Sequence, residues 1–449
     1  VIGIDVLTAA RQQMAFSLGF HIVLSCFGVG FPALIYLLHR RGVRRGDEHA
    51  LSLARRWSKV AAVLFAVGAV SGTILSLEMG LLWPGLMSKY GDVIGLPFAF
   101  EGIAFFLEAV FLGIYLYGWD RLPPTVHLRT LLPIAVSGAF GTYCIMAVNA
   151  WMNDPTGFEL VDGEVVNIDP WAVMTNPAVW SMSAHMFVAA YMVVGFVVAG
   201  VYASGIRRGR DNTYHRLAIR YSLGVAAIAA ISQPFVGHIT GMRLAESQPS
   251  KLAAMELATT TESRAPLKIG GLLIDGEVRG ALEIPVLGSI IAGGGPGAVI
   301  PGLDQVAPSD RPPVNIVRLA FQTMVGIGTF LALFGAAFWW RERRGRSMLE
   351  SRSLLGLIVL TGPLAVIALE AGWVTTEVGR QPWIAYGLMR TSEAVTDNSN
   401  IFITFTTTII LYLAMGVASF AVLRSMSARW RRGETDALPS PYSPEVLVR

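Results

Sequence analysis

The chain has 449 residues, 53% of them hydrophobic and only 15% charged, and its apolar residues gather into blocks of around twenty, the length that crosses a bilayer as helix. This composition describes a polytopic membrane protein and excludes a soluble globular enzyme. The net charge of +4 is spread over loops instead of one folded face, so nucleic-acid binding is excluded, and the two cysteines, Cys26 and Cys144, both sit in apolar blocks, so neither a disulfide framework nor a Cys-rich metal site is available.

Nine spans are expected, near 14–38, 60–82, 98–118, 130–152, 181–205, 218–240, 314–340, 353–375 and 399–424, all helical because lipid offers the backbone no hydrogen-bond partner. The first block is full length and ends in a basic stop, so no cleaved signal peptide is expected. It is followed by HRRGVRRGDEHALSLARRWSK, which places that side in the cytoplasm. Alternation then puts IRRGRDNTYHRLAIR, RERRGRSMLESR and the RSMSARWRRG tail inside, with the short GWDRLPPTVHLR loop. DPTGFELVDGEVVNIDP, free of Lys and Arg, lies outside. The N-terminus is therefore expected outside and the C-terminus inside. Residues 241–313, rich in Gly and Pro, form the one long connection, on the outer side; KIGGLLIDGEVRGALEIP within it reads equally as a hairpin around its Asp-Gly pair or as a solvated linker. The expected division is 1–240 as the first six spans, 241–313 as an outer loop, 314–424 as the last three spans and 425–449 as a cytoplasmic tail.

Ionisable residues within lipid are costly, and each is a candidate functional site. His21, His185, Glu101, Glu108, Glu370 and Glu377 all fall in or near the outer half of their spans, and Met324 shares that depth. Imidazole and thioether suit haem iron as axial ligands, whereas a lone span His is as readily an interhelical hydrogen-bonding residue and Met a packing residue. Glu101 and Glu108, two helical turns apart, share one face; they read either as a proton path or as neutral carboxyls bonding between helices. His39, His49, His127 and His215 flank the basic loops and are expected at the surface, and His238 at the membrane interface.

In their order along the chain, RQQMAFSLGFH, GDVIGLPFAFEGIAFFLEA with GWDRL, NAWMNDPTGF, SKLAAME and EAGWVTTEVGRQPW resemble subunit I of the cytochrome bd quinol oxidases, over almost all nine spans. The Gly-Arg-Gln-Pro-Trp run is the most specific of these. The resemblance implies a bacterial cytoplasmic-membrane enzyme that reduces dioxygen with electrons from quinol, ubiquinol or menaquinol. It implies three haems: a low-spin haem b on His185 and Met324, and a high-spin haem b and a haem d served by His21 and Glu377 in an order left open. It places Glu101 and Glu108 near the high-spin pair, Arg11 and Arg380 at haem propionates, Trp373 among the haems, and Lys251 with Glu256 at quinol oxidation in a short outer loop. Gln322 departs from the pattern, standing where better-known members carry Arg. The implied partners are a second large subunit and a single-span small one. A haem b electron carrier without oxygen reduction, or a non-redox ion transporter, are the competing readings.

Overall fold

The computed structural model describes residues 5–432 and Tyr442; the other tail positions assigned to the cytoplasm lie outside the described residues. The helices are α1 (Val6–Arg45), α2 (Glu48–Leu82), α3 (Pro84–Tyr117), α4 (Pro124–Arg129), α5 (Leu131–Asn153), α6 (Pro170–Met174), α7 (Pro177–Arg207), α8 (Thr213–Ser247), α9 (Pro249–Glu256), α10 (Leu287–Gly293), α11 (Val314–Arg343), α12 (Arg352–Gly379), α13 (Thr391–Ala394) and α14 (Ile401–Arg432). Among the described residues nine helical stretches are long and apolar enough to cross a membrane, and each expected span falls within one of them to within two residues.

Local chemistry sets their ends. Asp5 and Asp47 accept from the Thr8 and Ala50 amides at 2.7 and 3.1 Å, capping α1 and α2, and Asn212 accepts from His215 N at 3.0 Å at the start of α8. Pro84, Pro177 and Pro249 open their helices, where a missing N–H costs nothing. Gly46 ends α1 in the left-handed region, at φ 61°.

Helices α1, α2, α3 and α5 pack as one four-helix group and α7, α8, α11 and α12 as a second, joined where α1 meets α7; α14 lies against α1 and α2. Within the second group a Cβ at Gly195 of α7 would sit 2.6 Å from Ser222 O and 2.7 Å from Ala226 Cβ, so glycine lets α7 and α8 approach backbone to backbone. The outward faces stay apolar, with Leu77 60%, Phe106 65% and Phe420 66% exposed, as lipid-facing helices require.

The connection between α8 and α11 is ordered. The hairpin alternative holds: strands β1 (Leu267–Ile274) and β2 (Glu277–Ile284) pair antiparallel across Asp275 and Gly276, both at positive φ, 54° and 83°, as a two-residue primed turn demands. Helix α8 itself continues to Ser247, past residue 240. One face of α11 holds the hairpin. Asn315 bonds Leu273 through both its amide groups at 2.8 Å, Gln322 accepts from Gly270 N at 3.2 Å, and the wholly buried Arg318 donates to the carbonyls of Met255, Lys268 and Gly270.

The expected surface position of His39, His127 and His215 is overturned: they are 0%, 0% and 4% exposed. His39 and His127 both bond the hydroxyl of Tyr442, at 2.6 and 2.8 Å, beside Tyr115 and Trp119. Adjacency to a basic loop says nothing about what the distant tail covers. His215 is held by its own helix cap, Nδ1 lying 2.8 Å from Asn212 Oδ1.

Candidate functional site

The site is assembled on residues 370–381, the end of α12 and the turn after it, where the Glu-Ala-Gly-Trp and Gly-Arg-Gln-Pro-Trp motifs meet side chains from four other helices. Glu370 lies against Gly19 of α1, its Oε2 3.4 Å from where a Cβ would stand. Glu377 accepts from Asn149 of α5 at 2.6 Å and from Arg380 at 2.5 Å, one carboxylate oxygen each. Gln381 accepts from Arg11 Nη2 of α1 at 2.6 Å. Lys251 of α9 packs its aliphatic stem on Gly379, and Met324 of α11 sets its sulfur over Gly372. Trp373, half-buried, packs on the main core. The chain just past the Gly-Arg-Gln-Pro-Trp motif is also tied by its backbone to the end of α5, Tyr386 N donating to Met152 O at 2.9 Å.

His185 stands on α7, whose partner α8 supplies its surroundings: Gln233 Nε2 lies 3.1 Å from Nε2, and Nδ1 is buried with no partner. α7 and α11 are not neighbours around the second group but stand across it, His185 lying against α8 and Met324 against α12. His21 of α1 bonds Ser71 of α2 at 2.8 Å and Ser25 at 2.9 Å. Each of these three side chains faces a glycine. A Cβ at Gly72 would come 2.9 Å from His21 Cε1, at Gly237 3.2 Å from His185 Cε1, and at Gly372 3.0 Å from Met324 Sδ. A larger residue would push the imidazole or thioether away.

This donor set fits haem. Imidazole nitrogen and thioether sulfur are axial ligands for haem iron. Arg380, 3% exposed, spends one amino group on Glu377 while Nε and Nη1 stay buried without partners, and two orphaned guanidinium donors in such a place call for an anion such as a propionate. Arg11 is more open and engages Gln381.

Lys251 and Glu256 are both drawn into the protein but do not meet. Lys251, 3% exposed, donates to Asn153 Oδ1 at 2.7 Å. Burial, with the Arg380 charge, pushes its pKa down to about 7, against an opposing pull from Glu377. Glu256 faces Arg318 and Lys268; burial raises its pKa, the two cations oppose the rise, and Oε2 is buried without a partner. Lys268 Nζ in turn donates to Leu257 O at 3.1 Å. A small cleft opens there between Glu256, Lys268, Pro266 and Ile300.

Glu101 and Glu108 point along one face of α3, as the helical period requires, and the 8%-exposed Glu108 lies against Gly28 of α1 and Gly138 of α5. The sequence reading missed Glu78 of α2, 3% exposed, which accepts from Gln13 at 2.9 Å and Ser17 at 3.0 Å. Gln13, Ser17 and His21 recur at four-residue intervals on α1, and that polar stripe was the available signal. It also missed Asn149, Asn153, Gln248 and Arg318, which carry no mark in isolation.

The family model for cytochrome bd terminal oxidase subunit I matches residues 9–430. A putative cytochrome bd menaquinol oxidase subunit I from Bacillus subtilis (strain 168) is 35% identical over 426 residues, covering 93% of this chain and 96% of the relative. Cytochrome bd ubiquinol oxidase subunit 1 of the same organism is 27% identical, covering 98% of each. The solved structure of bd oxidase from Geobacillus thermodenitrificans superposes with a TM-score of 0.90 at 41% identity, covering 96% of this chain and 100% of that one. On these grounds, with nine apolar helices among the described residues and a haem-fitting donor set, the chain belongs to the cytochrome bd terminal oxidase subunit I family and is the catalytic subunit of a quinol oxidase.

Proposed function

We propose that this chain carries a low-spin haem b, a high-spin haem b and a haem d, and reduces dioxygen to water with electrons from a membrane quinol, separating charge across the membrane without a pump. The observation that carries the reading is the convergence of Lys251, Asn149, Met324 and Arg11 on residues 370–381, the end of α12 and the two residues after it, which brings quinol-side and haem-side residues together. His185 and Met324 would hold the low-spin haem, and His21 and Glu377 the high-spin pair. Bound haem supplies the electron storage and the chemistry on dioxygen.

The rest is done by the chain's own side chains. Lys251 and Glu256 take the protons of quinol at the outer loop, residues 241–313. Arg380 and Arg11 anchor propionates, with Trp373 packed beside them. Glu108 and Glu101 hand protons toward the site from the other side, so that release outside and uptake inside move charge worth about 2.3 kcal/mol each per 100 mV. The basic loops put the N-terminus outside and the C-terminus, with residues 425–449, in the cytoplasm. The setting is the bacterial cytoplasmic membrane, in complex with a second large subunit and a single-span small one. Relatives are named for menaquinol and for ubiquinol, so the substrate is assigned as a quinol by class.

The absorbance spectrum of the purified complex tests this. A haem d band with b-type bands is expected. Bands of b type alone would make it an electron carrier, and a colourless protein a transporter.

A further inference from the structure

One chain of hydrogen bonds links the outer-loop lysine to the end of α12. Lys251 Nζ donates to Asn153 Oδ1 at 2.7 Å; Asn153 Nδ2 donates to Asn149 at its backbone oxygen, 2.7 Å, and at Oδ1, 3.1 Å; Asn149 Nδ2 donates to Glu377 Oε1 at 2.6 Å. Gln248, the residue before α9, braces the same point, its Nε2 donating to Asn153 O and Oδ1 at 2.6 and 2.9 Å. Asn149 and Asn153 are four residues apart on the last turn of α5, so both amides lie on one face. They are 8% and 5% exposed.

The amides cannot turn independently. An ammonium at one end accepts nothing, and the Glu377 oxygen at the other already receives Asn149. Flipping Asn149 would set its oxygen against the carboxylate and its NH2 against that of Asn153. Flipping Asn153 would set its NH2 against Lys251. While Lys251 is protonated the two ends therefore fix both amide dipoles head to tail, from cation to anion, and in a buried setting such bonds polarise one another.

We propose that Asn149 and Asn153 are positioning residues that couple Lys251 to Glu377, so that quinol binding beside Lys251 is felt at the high-spin haem served by Glu377. This rests on the proposed roles of Lys251 and Glu377. Coupling of this kind is reciprocal: a change in what Glu377 ligates changes quinol affinity in turn. The Asn-Ala-Trp-Met-Asn run of the sequence thereby acquires a function that neither asparagine shows alone.

The test uses the whole purified complex, an alkyl hydroxyquinoline as a non-oxidisable quinol analogue, and the high-spin haem absorbance as readout. In the parent enzyme the analogue shifts that band. Asn153→Ala raises KM for quinol about tenfold, the loss of a hydrogen bond to a charged group, and abolishes the shift. Asn153→Asp is isosteric: it keeps an acceptor for Lys251 and loses the donor to Asn149, so KM recovers toward the parent value while the shift stays abolished. Asn149→Leu moves the high-spin band even without analogue and leaves the low-spin band in place. A shift that persists in Asn153→Asp and Asn149→Leu at full haem content overturns the bridge, as does a parent enzyme whose band ignores the bound analogue. Two controls locate the fault. Unchanged KM in Lys251→Met overturns the proposal from its quinol end, and full high-spin haem content in Glu377→Ala overturns it from the haem end; either result is distinct from a failed bridge.

Discussion

Lys251 and Glu256 stand five residues apart on α9, about 140° around its axis, and face different parts of the protein. Lys251 turns to Asn153 and the end of α12, Glu256 to Arg318 and Lys268. With no shared partner, their losses should combine independently. Lys251→Ala and Glu256→Ala each slow quinol turnover by about 100-fold or more, the usual scale for a lost acid-base group, while an artificial donor still reduces the haems and drives oxygen consumption. The double variant is additive to within about 0.5 kcal/mol. Steady-state kinetics with both donors decide it; strong non-additivity would mean the two act as one unit, and unchanged quinol kinetics in both would remove the site.

The depressed Lys251 pKa, about 7, sets a pH dependence with a definite sign. Below it the side chain is an ammonium with no lone pair; above it the neutral amine accepts a proton from quinol. Quinol kcat/KM therefore rises between about pH 6 and 8, levelling once the amine is neutral. Lys251→Arg stays charged throughout and flattens the profile. An unaltered slope in that variant would assign the ionisation to another group.

A six-coordinate iron loses its low-spin state when either axial ligand goes. His185→Ala and Met324→Leu should each remove or convert the low-spin b signal while the high-spin absorbance persists. Low-spin spectra that are normal in both variants would refute the ligand pair.

Glu101→Gln and Glu108→Gln should slow oxygen reduction yet leave quinol reduction of the low-spin haem fast, since they lie on α3 away from α9. Proteoliposomes carrying pH dyes on each side should report proton uptake inside and release outside. Consumption of protons from the outer side, or normal turnover in both haem-replete variants, would defeat the proposed path.

Arg318 is a structural forecast. Its guanidinium satisfies three carbonyls of the 241–313 connection, two of them buried, and Arg318→Ala leaves the Met255, Lys268 and Gly270 oxygens without it. Each buried polar group left unsatisfied costs about 1–3 kcal/mol, so Tm falls and protease cuts the 266–284 hairpin sooner, with Arg318→Lys a poor rescue because one ammonium cannot span three acceptors. Parent-like protease resistance would show that the hairpin holds without this clamp.

The sequence by itself determined whatever follows from a period or a run. Nine spans were legible because lipid leaves the backbone only internal hydrogen bonds, so apolar length translates directly into helix. The common face of Glu101 and Glu108 follows from 3.6 residues per turn, whereas Asp275 and Gly276 offered a tight turn that only the structure chose over a linker. Motif resemblance named His21, His185, Met324 and Glu377, but not what surrounds them. Tertiary structure alone decided that Asn149 meets Glu377, that Lys251 meets Asn153, that Gln322 binds the hairpin, and that Tyr442 buries His39 and His127. Each of these joins residues from distant parts of the chain, and partners across helices are chosen by how the helices pack, which no spacing along a single helix encodes.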